Sequence, residues 1–325
     1  MSTRLRSGAR RALPGAALLA AGALLTGCGS PTAATGPAAE GFPMTVSSCG
    51  RDVTFTAPPQ RVVTVGSVAA PLIAAAGAAD HIVTRTFESA PFPGEYADEL
   101  TGIETTSRTG EIAREEIIDR SPDVVVSFEG AAVSADDLAR VNIPLLVTRG
   151  YCRDAAGTFD DIFADIEAYG KLFGTSAAAN AEVTSLRRRV DTVADRNATR
   201  TPLRAAALII SRDGNKVSAY GSTSTVSHQM HILGLENVFG DNATRYSEIN
   251  TEALIDRDPD LIVLLTQGDQ TPDSARQALR DRPELARLPA IRDNRMIVVP
   301  FGYTGPGPVA VEGIEVLDRE LGALR

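Results

Sequence analysis

The chain contains one twelve-residue pattern twice, and this repeat constrains the fold more than any other feature. Residues 115–126 are EEIIDRSPDVVV and residues 252–263 are EALIDRDPDLIV, a constant offset of 137 residues. Each copy opens with a short helical stretch, passes a Pro-Asp turn that a helix cannot cross, and ends in an apolar run typical of a buried strand. Two matched units predict two similar α/β lobes with a cleft between them.

A long helical stretch, residues 158–196, lies between the two repeats. Apolar side chains recur there at spacings of three and four, and Asp, Glu and Arg fill the other faces. Gly174 is predicted to end one helix, and Thr175 or Ser176 to cap a second helix of about twenty residues, close to 30 Å. We expect this second helix to bridge the lobes.

Strand and helix signals alternate on both sides of that region. Strands are predicted at 61–65, 82–86, 124–128 and 145–149, then at 205–211, 217–220, 261–266 and 296–300. Helices are predicted at 69–76, 114–119 and 135–141, then at 227–233, 251–256, 274–280 and 308–324. The predicted fold class is α/β: two three-layer lobes with mainly parallel sheets, joined by one long helix, with ligand bound at the carboxyl ends of the strands.

The N-terminal 27 residues predict an export signal. Arg4 to Arg11 form a positive region, and an apolar stretch of about fifteen residues follows, too short to span a bilayer in the usual way. The sequence LTGC at 25–28 resembles the lipobox of bacterial lipoproteins, so we expect lipidation of Cys28 and attachment to the outer face of the cytoplasmic membrane. A plain signal peptide with an incidental cysteine is the alternative.

Five segments follow from these signals. They are an export signal at 1–27, a flexible tether rich in Pro, Ala, Gly, Ser and Thr at 28–44, an N-terminal lobe at 45–157, a helical region at 158–197 and a C-terminal lobe at 198–325.

Two cysteines remain if Cys28 carries lipid. Cys49 lies in a hairpin-like segment, residues 45–55, and Cys152 follows an apolar strand. In an exported protein this even number predicts a disulfide that ties the hairpin to the first lobe, although two unrelated buried thiols are the alternative. A loop of about 100 residues closed in this way would contribute about 4–5 kcal/mol on the entropic model.

Charge and motifs exclude several function classes. The net charge of −9 becomes −13 when residues 1–27 are removed, which argues against nucleic-acid binding. The sequence has no nucleophile elbow, phosphate-binding loop, dinucleotide fingerprint or metalloprotease motif, so an enzyme is the weaker hypothesis. His228 and His231 are spaced to share a helix face, but a partly exposed helix start is favoured over a metal or haem site. No metal site and no resident cofactor are predicted.

The order of segments carries a family resemblance. Besides the repeats and the long helix, it includes PQRVV at 59–63, AAGAAD at 75–80, IPLLV at 143–147, LGLENVF at 233–239 and AIRDNR at 290–295. This combination resembles the helical-backbone (class III) family of periplasmic binding proteins over residues 46–324. Members of that family deliver ferric siderophores, cobalamin or haem to ABC importers.

The resemblance implies a substrate-binding protein for a ferric siderophore, an iron complex. Its expected partners are an ABC permease with its ATPase, and it is expected to be a monomer. Cobalamin or haem is the second reading, and a lipoprotein sensor or enzyme on the same fold is the alternative from a different class.

The resemblance also assigns two glutamates to the permease. In the family, one acidic residue on each lobe contacts permease arginines, and the matching positions are Glu115 and Glu252. Paired charges of this kind give orientation and association rate more than affinity. The alternative is that the helix dipole alone favours glutamates at these helix starts.

Candidate ligand-binding residues lie after the predicted strands. Arginine donors and aromatic faces suit anionic ferric siderophores with catecholate or hydroxamate groups. The absence of tryptophan leaves the ligand class open. The candidates are Arg85, Phe87, Phe128, Arg149 and Tyr151 in the first lobe, and Tyr220, Arg245, Tyr246, Gln267, Phe301 and Tyr303 in the second.

Overall fold

The structure is a computed structural model that describes residues 40–88, 92, 94–107, 112–153, 155–211 and 213–324. The predicted export signal, Cys28 and the tether up to residue 39 lie outside the described residues. The strands are β1 Met44–Ser48, β2 Arg51–Phe55, β3 Val62–Val65, β4 Ile82–Thr86, β5 Val124–Ser127, β6 Leu145–Val147, β7 Leu203–Ile210, β8 Val217–Tyr220, β9 Leu235–Asn237, β10 Tyr246–Ile249, β11 Leu261–Thr266 and β12 Met296–Pro300. The helices are α1 Ala69–Ala75, α2 Arg114–Asp119, α3 Ala135–Ala139, α4 Phe159–Phe173, α5 Ser176–Asn197, α6 Thr225–Ile232, α7 Thr251–Arg257, α8 Pro272–Arg280, α9 Pro289–Arg292 and α10 Val309–Ala323.

The first lobe is built on a four-stranded sheet of order β4-β3-β5-β6, with all neighbours parallel. β3 and β5 are buried over their whole length, as apolar runs covered on both faces require. The antiparallel hairpin β1-β2 is separate from this sheet. All four strands therefore end at the same edge of the lobe, which faces the cleft.

The second lobe has a mixed sheet of order β10-β8-β7-β11-β12, with β9 beside β7. β9, β7, β11 and β12 are parallel, whereas β8 and β10 run antiparallel to their neighbours. The sequence did not predict β9 or β10, because both are short and carry polar residues at alternate positions. The α/β class with two lobes is confirmed, and the alternation of strands and helices failed at the antiparallel strands β8 and β10 and at the short strand β9.

The repeated unit has the same structure in both lobes. α2 leads into β5 and α7 leads into β11, and the residues before the two prolines, Ser121 and Asp258, have left-handed backbones with φ of 47° and 40°. The Asp123 carboxylate accepts from the backbone N–H of Arg61 at 3.0 Å, and the Asp260 carboxylate accepts from that of Arg204 at 3.3 Å. In each lobe the Pro-Asp turn thus fixes the start of the neighbouring strand.

The two predicted helices between the lobes are confirmed. Gly174 ends α4 with a φ of 75°, a backbone that favours glycine, and α5 continues for 22 residues, about 33 Å. Thr175 is the N-cap residue, but its side chain does not cap the helix as predicted, because its hydroxyl donates instead to the carbonyl of Ala76 in the first lobe at 2.6 Å. Near its end Arg196 pairs with Asp318 of α10 in the second lobe at 2.8 Å.

Arg189 of α5 connects the lobes a second time. Its guanidinium lies 2.9 Å from Glu95 of the first lobe and 2.8 Å from Glu315 of the second. The pKa of Arg189 is raised, first by its hydrogen bond to Glu315. We call Arg189, Glu95 and Glu315 the interlobe triad.

The predicted disulfide between Cys49 and Cys152 is confirmed, with Cα atoms 5.2 Å apart across 103 residues of sequence. Beside it the Ser48 hydroxyl accepts from the N–H of Val147 at 2.7 Å, so the hairpin is attached to the end of β6 by both covalent and hydrogen bonds. In the part of the chain that the structure describes, no helix has the length and hydropathy to cross a membrane.

Candidate ligand-binding cleft

A cavity of about 440 Å³ lies where the strand ends of the two lobes meet. Aromatic side chains provide much of its wall, and polar groups lie between them. The lining residues are Gly66, Ser67, Phe87, Phe128 and Tyr151 from the first lobe, and Ile209, Ser211, Lys216, Ser218, Tyr220, Arg245, Tyr246, Gln267 and Phe301 from the second.

The first-lobe wall is a row of aromatic rings carried by successive strand ends. Phe87 follows β4 and Phe128 follows β5, and their rings stack with centroids 5.8 Å apart. The Tyr151 ring lies 5.9 Å from that of Phe128. Gly66, with a φ of 89°, allows the Phe128 ring to approach the backbone, because a Cβ there would lie 3.0 Å from a ring carbon.

The second-lobe wall pairs two tyrosines with an arginine. Tyr220 and Tyr246 are cross-strand partners on β8 and β10, and their ring centroids lie 5.7 Å apart. The Arg245 guanidinium carbon lies 5.2 Å from the Tyr246 ring and 4.6 Å from the ring of Tyr151 in the opposite lobe. This cation–π contact therefore spans the cleft.

The charges and hydroxyls of the cleft define what it offers a ligand. Lys216 is paired with Glu248 at 2.9 Å, whereas no carboxylate of the described residues lies within ion-pair distance of Arg245. Burial raises the pKa of both Tyr151 and Tyr220, so their phenols stay protonated and act as hydrogen-bond donors. The cleft thus presents one available guanidinium among aromatic faces and neutral hydroxyls.

Eight of the eleven predicted ligand residues line this cavity, and Arg85, Arg149 and Tyr303 do not. Arg85 is buried within β4, where it donates to the Thr105 hydroxyl at 3.0 Å. Arg149 lines a second cavity, of about 650 Å³, next to the disulfide. The Tyr303 hydroxyl is directed to Glu312 of α10 at 3.2 Å.

Sequence reasoning missed Lys216 and Ser218 because it predicted mainly parallel sheets and looked for ligand residues only after the strands. β8 is antiparallel to β7, so its first residues, and not only its last, lie at the cleft edge. The short loop between two strand patterns at 211–216 was the available signal for a hairpin. Gly66 and Ser67 were considered as a loop but not as cleft residues.

The two histidines of α6 are not part of this cavity. The His228 ring packs against Phe159 at 5.5 Å, and burial lowers the pKa of its imidazole. Within the described ranges, no group of three His, Cys, Asp or Glu side chains is arranged to hold a metal ion.

The predicted docking residues occupy equivalent surface positions. Glu115 and Glu252 are exposed and lie in the first turns of α2 and α7. The pKa of Glu115 is lowered, first by a hydrogen bond from its own backbone N–H and then by Arg114, which lies 2.9 Å away.

Comparison with known proteins places this architecture in a family. The family model described as periplasmic binding protein matches residues 62–303. An ABC-type Fe³⁺-hydroxamate transport protein from Saccharomonospora viridis is 32% identical, with a TM-score of 0.78 over 86% of this chain and 99% of that one. An uncharacterised ABC transporter substrate-binding lipoprotein of Bacillus subtilis is 24% identical over 94% of this chain and 95% of its own length. A vitamin B12-binding protein of Vibrio cholerae is 17% identical, with a TM-score of 0.64 over 82% of this chain and 98% of that one.

The family match and the relatives identify the class of protein as a substrate-binding protein of ABC transport. The chain belongs to the periplasmic binding protein family, and solved proteins of the same fold include ones for Fe³⁺-hydroxamate, vitamin B12 and haem. The resemblance found in the sequence is thereby confirmed.

Proposed function

We propose that the protein binds a ferric siderophore in this cleft, outside the cytoplasmic membrane, and delivers it unchanged to an ABC permease with its ATPase. The Arg245 guanidinium, held between tyrosine rings from both lobes without a carboxylate partner among the described residues, is the observation that carries the proposal. An arginine in that setting retains donors for an anionic oxygen of a chelate.

The charge of the cleft favours hydroxamate over catecholate complexes. A ferric tris-catecholate carries several negative charges and would require several available cations, whereas a ferric tris-hydroxamate is neutral at its iron centre. Arg245 is available and Lys216 is already paired with Glu248. The Saccharomonospora viridis relative, named for Fe³⁺-hydroxamate transport, supports the same choice.

Haem is the second candidate for the ligand, and cobalamin is the third. Tyr246 is half exposed in the cavity, and a phenol oxygen is one of the axial ligands that proteins provide to haem iron. The flat aromatic walls would also accept a macrocycle.

A binding titration tests these alternatives. The protein has no tryptophan, so its tyrosine emission can be followed during addition of ferrichrome, ferrioxamine B, ferric enterobactin, haemin or cyanocobalamin. We expect saturation by a ferric hydroxamate, weakened about 10- to 100-fold in Arg245→Gln, because a hydrogen bond to a charged group contributes about 1.5–3 kcal/mol. Arg319→Gln, at an exposed arginine of α10, is the matched control and should bind as the unchanged protein does.

Two results would contradict the proposal. Saturation by haemin or cyanocobalamin without any response to the siderophores would replace it by the second candidate. If none of the compounds binds although thermal unfolding shows that the protein is folded, then siderophores, haem and cobalamin are all excluded as its ligands.

We propose further that the protein reaches the membrane through a lipid on Cys28 and docks as a monomer through Glu115 and Glu252. The support for docking is that both glutamates are exposed at the same position of the two matched units. Labelling of cells with a radioactive fatty acid should mark the protein, and Cys28→Ser should abolish the label.

A further inference from the structure

A buried carboxylate lies behind the first-lobe wall of the cleft. Asp165 of α4 is only 7% exposed, although its neighbours on that helix face form the apolar core. Its Oδ2 atom accepts a hydrogen bond from the backbone N–H of Arg149 at 2.7 Å. Its Oδ1 atom lies 3.6 Å from Nε of the same arginine.

Arg149, whose backbone N–H donates to Asp165, is the first residue of the turn that carries Tyr151 into the cleft. Arg149–Tyr151 form one 3₁₀ turn, closed by hydrogen bonds of 2.9 Å from Tyr151 to Thr148 and from Cys152 to Arg149. The Tyr151 ring lines the cleft under the Arg245 guanidinium. Cys152, immediately after the turn, is held by the disulfide.

We infer that Asp165 is a positioning residue of the cleft, whose carboxylate fixes the turn that presents Tyr151 to Arg245 and to the ligand. The inference deepens the proposed function and rests on it. Asp165 does not line the cavity itself and acts only through the turn.

The charge of this carboxylate changes near neutral pH. Burial raises the pKa of Asp165 to about 7, against the opposing effect of the Arg149 backbone and side chain. The other groups that face it are Asp161 and Tyr169 on α4, and the charges of Asp160 and Asp161 in turn act on His228 of α6. A neutral carboxyl accepts a hydrogen bond about half as strong as a carboxylate does. The turn should therefore loosen as the pH falls below about 7.

Fluorescence of one introduced tryptophan tests this coupling without any ligand. Tyr151→Trp places the only tryptophan of the chain at the turn. We expect its emission to shift with a single midpoint at a pH of about 7. In Tyr151→Trp combined with Asp165→Asn, the shift should be lost and the emission should stay at its low-pH position at every pH.

Control variants separate Asp165 from its neighbours. With Tyr151→Trp, neither Asp161→Asn on the same helix nor His228→Gln on α6 should remove the transition. Persistence of the transition in Asp165→Asn, or its loss in His228→Gln, overturns the inference. The same transition reported by Tyr246→Trp, in the opposite wall, would show a global change and would also overturn it.

A second measurement needs no substitution of the carboxylate, in case Asp165→Asn does not fold. In ¹⁵N-arginine-labelled protein, the Arg149 amide is assigned by its loss in Arg149→Lys, and its proton shift should titrate with the same midpoint. A pH-independent Arg149 amide overturns the inference.

Binding of ferrichrome as a function of pH then connects the turn to the cleft. Affinity should fall below pH 7 in the unchanged protein and should be independent of pH over this range in Asp165→Asn. If ferrichrome does not bind at any pH, the proposed function fails while the spectroscopic result stands, so the two failures are distinguishable. Equal pH dependence in both proteins overturns the inference.

Discussion

For Asp165, the sequence predicts the helix face on which the residue lies but not the group that its carboxylate contacts. It lies three residues after Ile162 and four before Tyr169, so helical spacing places a charge on the apolar face of α4. The spacing was visible in the sequence. The Arg149 backbone that the carboxylate meets belongs to another element, and only the folded structure identifies it.

The stability of the protein should depend on the ionisation of Asp165. The pKa of Asp165 is raised from 3.8 to about 7 by burial, so the folded state favours the neutral acid. This contribution is fully present below a pH of about 4 and is lost as the pH rises through about 7. Relative to Asp165→Asn, the free energy of unfolding should fall by up to about 4 kcal/mol across that window. Urea unfolding at pH 4, 6 and 8 measures it.

Asp293→Asn is the control for that measurement. Its carboxyl is exposed and its pKa is lowered by Arg292, and the variant keeps Asp165, so it should show the same fall as the unchanged protein. Unfolding free energies that stay parallel between the unchanged protein and Asp165→Asn would contradict the prediction.

The sequence predicted which residues lie near the cleft better than it predicted which of their side chains are directed into it. Phe87, Phe128 and Phe301 follow strand ends, and all three line the cavity. Arg85 also lies at a strand end, but its side chain is directed into the lobe, toward Thr105. Side-chain rotamers and loop conformations depend on tertiary contacts, and these contacts cannot be inferred from the spacing of residues in the sequence.

At the scale of elements, long apolar runs were the reliable signal. The predictions for β4, β8, β11 and β12 agree with the structure at both ends, because Pro, Gly, Asn or Asp residues flank most of these runs. β9 and β10 are stabilised by pairing with β7 and β8 rather than by their own hydrophobicity. Propensity alone could not identify them.

Two glycines of α10 should respond in opposite ways to alanine. At Gly313 a Cβ would lie 2.0 Å from the carbonyl oxygen of Tyr303, whereas at Gly322 nothing lies within 4 Å. We expect Gly313→Ala to lower the free energy of unfolding by about 1–3 kcal/mol through overpacking. Gly322→Ala should raise it by up to about 1 kcal/mol through helix propensity.

Chemical denaturation of the two variants measures this difference. The residues share a helix, so each serves as the control for the other. Equal effects of the same sign would show that α10 does not pack on the Tyr303 backbone as described.

At the scale of the whole molecule, the interlobe triad should resist relative movement of the lobes. Arg189→Gln removes both ion pairs and leaves Glu95 and Glu315 without their cation. We expect a loss of about 1–3 kcal/mol in the free energy of unfolding, since partly buried partners lose charged hydrogen bonds. Small-angle scattering should show a wider distribution of lobe separations.

Arg187→Gln is the matched control on the same helix. Arg187 pairs with the exposed Asp160 at 2.7 Å, and surface pairs of this kind contribute about 0–1 kcal/mol. If both variants lose the same free energy of unfolding and give the same small-angle scattering, the interlobe triad does not restrict movement of the lobes.

The docking proposal also belongs to this scale. Charge reversal at either Glu115 or Glu252 should reduce stimulation of the transporter ATPase in proteoliposomes, and the double variant should abolish it. Ligand affinity should not change, because neither glutamate lines the cleft. Glu284→Lys, at an exposed glutamate of the second lobe, should behave as the unchanged protein. A double variant that stimulates normally would contradict the assignment.

The continuous helix α5 makes the connection between the two lobes stiff. A connection made of loose strands would let the lobes separate at little cost, but α5 has no break in 22 residues and is tied to a lobe at each end. Separation of the lobes must therefore bend α5, or break the hydrogen bond at its start or the ion pair near its end. We expect a stiff connection of this kind to limit how far the separation of the lobes changes between the empty and the occupied protein.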